Sequence, residues 1–148
     1  MALSSLNNLY RQVIMDHAKH PHNNRQLADA DEELELRNPT CGDVLTIQLK
    51  IAGGKIQDAA YTGSGCTISQ SSASMMTDQI KGKTTAEVEK MVLAFSDMVT
   101  GKDVPDRAQL LGDASILQSV SQFPARIKCA TLAWKAAYQA IEESEKNE

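Results

Sequence analysis

The chain has 148 residues, 42% hydrophobic and 23% charged, with 15 Lys and Arg against 19 Asp and Glu. This describes one globular domain over residues 1–148, large enough to bury a core without disulfide staples. A net charge of −4 excludes a basic nucleic-acid footprint, and no apolar run approaches the roughly 20 residues of a membrane span.

Leu6, Leu9, Tyr10, Val13, Ile14 and His17 recur at helical spacing. They predict an amphipathic helix from about Ser5 to His20, stopped by Pro21. Residues 21–31 are polar and read as a loop. Leu34 and Leu36 alternate with Glu33, Glu35 and Arg37, giving a short strand. Leu45, Ile47, Leu49 and Ile51 alternate with Thr46, Gln48 and Lys50 in the clearest strand pattern of the chain. Gly53-Gly54 then marks a turn, and Lys55–Tyr61 the return strand of a hairpin.

From Thr67 the pattern turns helical, with Ile68, Met75, Met76 and Ile80 apolar, a Ser-rich face between them, and Gly82 as the stop. Thr84 and Glu87 fit a capping box for a helix carrying Val88, Met91, Val92, Phe95, Met98 and Val99, closed by Gly101. Residues 102–112 read as loop. Asp113 is the expected cap of a short helix with Ile116, Leu117 and Val120. Pro124 suits the first turn of a last helix, striped by Ile127, Thr131, Trp134, Tyr138 and Ile141. The charged tail is expected to fray. The sum is an α+β domain: a small three-stranded antiparallel sheet covered on one side by about five helices. The N-terminus shows neither a basic n-region nor an apolar h-region. The expected compartment is therefore a reducing cytoplasm, in which thiols stay free.

Cys41, Cys66 and Cys129 form no C-x-x-C pair, so their settings carry the argument. Cys41 lies in a turn between Pro39 and Gly42, with Asp43 two residues on. Cys66 follows Gly63-Ser64-Gly65 and opens a helix, where backbone N–H groups and the dipole favour thiolate. Cys129 lies in the first turns of the last helix beside Arg126 and Lys128, cations expected to act the same way. Such element ends can cluster at one pole of the domain. Three thiolates and one carboxylate would complete a tetrahedral set of the kind that suits zinc or iron–sulfur chemistry. The competing reading is three buried thiols acting as small hydrophobes. His17, His20 and His22 form H-x-x-H-x-H at a helix end, and the i, i+3 pair can bind a metal. The dipole and solvent account for them better, so they are read as a solvated helix terminus. Ser69-Gln70-Ser71-Ser72 after the glycines lacks the Lys of a phosphate loop.

The blocks NPTCGD (Asn38–Asp43), GSGCTISQSSASMM (Gly63–Met76) and FPARIKCATLAWKA (Phe123–Ala136) resemble the three cysteine motifs of the IscU/NifU-N iron–sulfur scaffold family. Leu9–Asn23 resembles its opening helix. Two departures are similar to the SufU branch: Lys128 stands where the scaffold branch has histidine, and the segment from Cys66 to Cys129 is longer. The resemblance implies one Zn²⁺ held by Cys41, Asp43, Cys66 and Cys129. It implies Cys41 as the sulfur acceptor, and a SufS-type, PLP-dependent cysteine desulfurase as the persulfide donor. Downstream iron–sulfur assembly proteins would be further partners, with no nucleic acid and no membrane involved. Arg126 and Lys128 are candidates for steering the docked partner. Two other functions stay open: an iron–sulfur cluster assembly scaffold, and a structural-zinc interaction module without activity.

Overall fold

A computed structural model describes residues Ala2–Lys146, with side chains from Arg11 onward. Helix α1 spans Ala2–Lys19. Of its predicted stripe, the side chains of Leu6, Leu9 and Tyr10 lie outside the described residues, while Val13 and Ile14 pack against the core. Strands β1 (Glu32–Asn38), β2 (Asp43–Ala52) and β3 (Lys55–Ser64) form an antiparallel sheet in the order β1-β2-β3. The register pairs Leu36 with Leu45 and Ile47 with Tyr61, so the alternating apolar residues share one face. Leu45, Ile47, Leu49 and Tyr61 are fully buried there. Gly53-Gly54 links β2 to β3 between the paired Ala52 and Lys55, as the sequence predicts.

Four further helices follow: α2 (Thr67–Ile80), α3 (Thr85–Val99), α4 (Arg107–Leu111) and α5 (Pro124–Lys146). Thr84 and Glu87 make the expected capping box, each side chain answering the other's backbone N–H. Phe95 of α3 stacks on Trp134 of α5 with ring centroids 4.4 Å apart. Among the described residues no helix is long and apolar enough to cross a membrane.

Three expectations need correction. Residues 102–112 are not all loop, because α4 occupies Arg107–Leu111. A five-residue helix with one fully buried side chain, Leu111, is too short to show a period. The segment after it, Gly112–Gln122, is a 3-10 helix, and Asp113 does not cap it. Asp113 faces His17 instead, Oδ2 to Nε2 at 3.2 Å. The charged tail stays helical through Lys146, its outer residues exposed but continuous with α5. The Ser-rich face of α2, on whose exposure the sequence made no statement, is buried. Ser69, Ser71, Ser72 and Ser74 are all inaccessible to solvent. The Ser71 hydroxyl donates to the Ile14 carbonyl of α1 at 2.7 Å, and Ser72 to the Ala130 carbonyl of α5 at 2.6 Å. Ser72 also accepts the Trp134 indole N–H at 3.0 Å. Small side chains let α2 run close between α1 and α5, and each hydroxyl finds a partner.

Candidate metal centre

The sheet register builds one pole of the molecule. Asn38 pairs with Asp43, closing β1 and β2 around the turn that carries Cys41. In that turn the Cys41 and Gly42 N–H groups both donate to the Asn38 carbonyl, at 3.2 and 2.8 Å. Gly42 takes φ 74°, a left-handed conformation that an L side chain strains to adopt. Val44 pairs with Ser64, which sets the end of β3 and the start of α2 beside Asp43. Cys66 is the N-cap of α2, its sulfur accepting the Ser69 N–H at 3.5 Å. Helix α5 brings Cys129 in from the other side.

The donor atoms of Cys41, Asp43 and Cys129 lie within 4.8 Å of one another. The Cys129 thiol donates to Cys41 Sγ at 3.2 Å. Cys66 adjoins the group through its backbone, whose N–H donates to Asp43 Oδ1 at 2.9 Å. Exposure divides the thiols: Cys41 is exposed, Cys66 intermediate and Cys129 buried.

Asp43 is fully buried yet well supplied with donors. Besides Cys66 N–H, the Ser69 hydroxyl donates to Oδ1 at 3.1 Å and Asn38 Nδ2 to Oδ2 at 3.2 Å. Burial pushes its carboxyl up, but the Cys66 N–H, the Cys129 thiol, Ser69 and Asn38 together outweigh burial and hold it below the usual range. Cys129 goes the other way. Burial, then the neighbouring Cys41, Asp43 and Cys66, push its thiol far above the ordinary cysteine value. This corrects the expectation that Arg126 and Lys128 would favour thiolate, because both cations are exposed on α5 while the sulfur is buried. Among the described residues Arg126 forms no ion pair with Asp43.

Two residues of the site carry no signal of their own in the sequence. Asn38 Nδ2 bridges Asp43 and Cys129, lying 3.6 Å from the Cys129 sulfur. Gly65 is required by contact: a Cβ there would stand 2.5 Å from Asp43 Oδ1 and 2.4 Å from Ser69 Oγ. Both roles depend on the β1–β2 register and the β3–α2 junction, which only the fold brings together. The histidines of the H-x-x-H-x-H run lie elsewhere. His17 is buried at 2% exposure, not solvated as expected, while His20 is exposed.

The donor chemistry fits a soft or borderline divalent ion. Sulfur donors and a carboxylate gathered within 4.8 Å are close to the span of two metal–ligand bonds of about 2.0–2.3 Å. A cation there would also ionise the buried thiol that its surroundings otherwise keep protonated.

The NifU-like N terminal domain matches this chain over residues 9–130. The chain is 49% identical to the iron–sulfur cluster assembly scaffold protein IscU of Streptococcus pyogenes serotype M1, over 97% of this chain and 89% of that protein. It is also 49% identical to the zinc-dependent sulfurtransferase SufU of Bacillus subtilis strain 168, over 96% of this chain and 95% of that one. Among solved structures it resembles FiSufU of Fervidobacterium islandicum AW-1, with a TM-score of 0.82 and 34% identity over 87% of this chain and 93% of that one.

Proposed function

The chain belongs to the NifU-like N-terminal domain family, with one relative named an iron–sulfur cluster assembly scaffold and another a zinc-dependent sulfurtransferase, and we propose that within it the chain is a zinc-dependent sulfur acceptor. Cys41, Asp43, Cys66 and Cys129 would hold the ion. Zinc, when bound, keeps its cysteine ligands deprotonated at neutral pH and brings no redox chemistry of its own.

The observation that carries this reading is the division of exposure within one cluster: Cys41 is open to a partner, while Cys129, 3.2 Å away, is not. Cys66 is held as the cap of α2. A persulfide on a PLP-dependent, SufS-type cysteine desulfurase therefore meets Cys41 first. The Cys41 thiolate attacks the outer sulfur; the donor's S–S bond breaks and its cysteine leaves as thiolate. Cys41 then carries the persulfide, with no net oxidation or reduction. Asn38, Ser69 and the Cys66 N–H keep the Asp43 carboxylate in place throughout. Exposed Arg126 and Lys128 on the first turns of α5 would steer the docking partner.

The test is desulfurase turnover with and without this chain, beside a zinc assay on the same sample. The expected result is stimulated turnover by a colourless protein holding one zinc. The relative named as an assembly scaffold supports a second reading, cluster assembly on the same thiols. It predicts a brown protein carrying iron and sulfide.

A further inference from the structure

At the opposite end of α2 the close of α1 meets a second group of ligand-type side chains. His17, His22 and Asp78 each present one ligand atom, and these atoms lie within 4.8 Å of one another. Asp78 stands about 18 Å along the helix from Cys66, at a rise of about 1.5 Å per residue, so this group is separate from the thiols.

Its geometry goes beyond proximity. The two imidazoles lie 4.5 Å apart, centroid to centroid. His17 is buried, and both its ring nitrogens face oxygen: Nδ1 lies 2.7 Å from Ser74 Oγ and Nε2 3.2 Å from Asp113 Oδ2. Ser74 Oγ already accepts the His22 backbone N–H at 2.8 Å, which leaves its own hydrogen for His17 Nδ1. Whichever nitrogen of His17 meets an ion, the other keeps an oxygen partner, the outer support that ligating histidines have. Asp78 is held in a similar way. Its Oδ1 accepts from Asn23 Nδ2 at 2.9 Å, and its Oδ2 faces His22 Nδ1. The His22 and Asp78 side chains are 45% and 36% exposed, so an ion arriving from solvent reaches them with His17 fixed behind.

We propose that His17, His22 and Asp78 form a second cation site, for a borderline divalent ion such as zinc. Two imidazoles and one carboxylate favour such ions over magnesium and calcium, and three protein ligands leave a position for water. The ion would join the end of α1, the turn after Pro21 and α2.

The experiment is calorimetric titration of the untagged, metal-free full chain with zinc. A second, weaker binding step is expected after the first. His22→Ala and Asp78→Asn should each weaken that second step by about tenfold or more and leave the first unchanged. Cobalt added to the zinc-loaded chain should shift the ring NMR signals of His17 and His22 and spare those of His20. A single binding step up to millimolar zinc would overturn the proposal. So would a second step that survives both substitutions, or cobalt shifts centred on His20.

Discussion

At Cys41 the chemistry rests on exposure and at Cys129 on burial, so the two thiols should respond differently to loss. Cys41→Ser should abolish sulfur acceptance and leave the fold largely intact. In the wild type the persulfide should appear on the Cys41 peptide as a gain of about 32 Da, one sulfur atom. Persulfide mapping to Cys66 or Cys129 alone would reject that assignment. Gly65 gives a sharper test of positioning. An added Cβ would meet Asp43 Oδ1 and Ser69 Oγ at about 2.5 Å, and the buried carboxylate would have to turn from its donors. Gly65→Ala should weaken zinc binding by about 10–100-fold while far-UV circular dichroism stays native. Unchanged zinc affinity would show that the carboxylate orientation does not matter. Cys41, Asp43 and Cys129, whose donor atoms the fold gathers, were legible because each stands beside a turn or helix signal in its own segment. Asn38 and Ser69 were not, because their contacts to Asp43 arise only when β1, β2 and α2 are assembled.

Elements with their own period or cap were read correctly: the β2 alternation, the Gly53-Gly54 hairpin and the Thr84–Glu87 capping box. The burial of the α2 serines was not legible, because polarity at helical spacing normally marks a solvent face. Here it marks a helix buried on several sides, with hydroxyls bonded to neighbouring carbonyls. The polar 21–31 loop also has a structural role. Arg25 pairs with Asp58 of β3 at 2.7 Å, and Lys81, just after α2, reaches the same carboxylate at 3.2 Å. Burial alone would raise the Asp58 carboxyl, but Arg25, the Ala59 N–H and Lys81 outweigh it and hold it below its ordinary value. Its folded pKa is thus lower than its unfolded one. The stabilisation is complete above the unfolded carboxylate value of about 3.9 and fades as pH falls through the folded value. For partly exposed partners it amounts to roughly 0.5–1 kcal/mol. Asp58→Asn should therefore lower stability in urea at pH 7 by that order. The difference from wild type should vanish near pH 2. A constant difference across that range would exclude the ion pairs as its source.

Across the whole molecule, the thiol cluster joins parts that the chain holds far apart: the β1–β2 turn, the β3–α2 junction and α5. Few contacts of such long sequence separation could be inferred from local patterns, which is why spacing alone left the metal and the buried-thiol readings open. An ion bound there stabilises the folded state only, because the unfolded chain has no assembled site. At a free concentration near a thousand times Kd the gain is about 4 kcal/mol. For a chain of this size, about 1 kcal/mol moves Tm by about 2–4 °C, so complete chelation should lower Tm by about 8–16 °C. Cys129→Ala should lose much of the same increment even with zinc present, since it removes a buried ligand and leaves a small cavity. Cys41→Ser should lose less, because a hydroxyl at an exposed turn disturbs no packing. This ranking separates a metal that organises the fold from three thiols that merely fill space. Space-filling thiols predict a melt indifferent to chelation, with Cys129→Ala destabilised equally with and without zinc. Verified zinc removal that leaves Tm unmoved would decide for them.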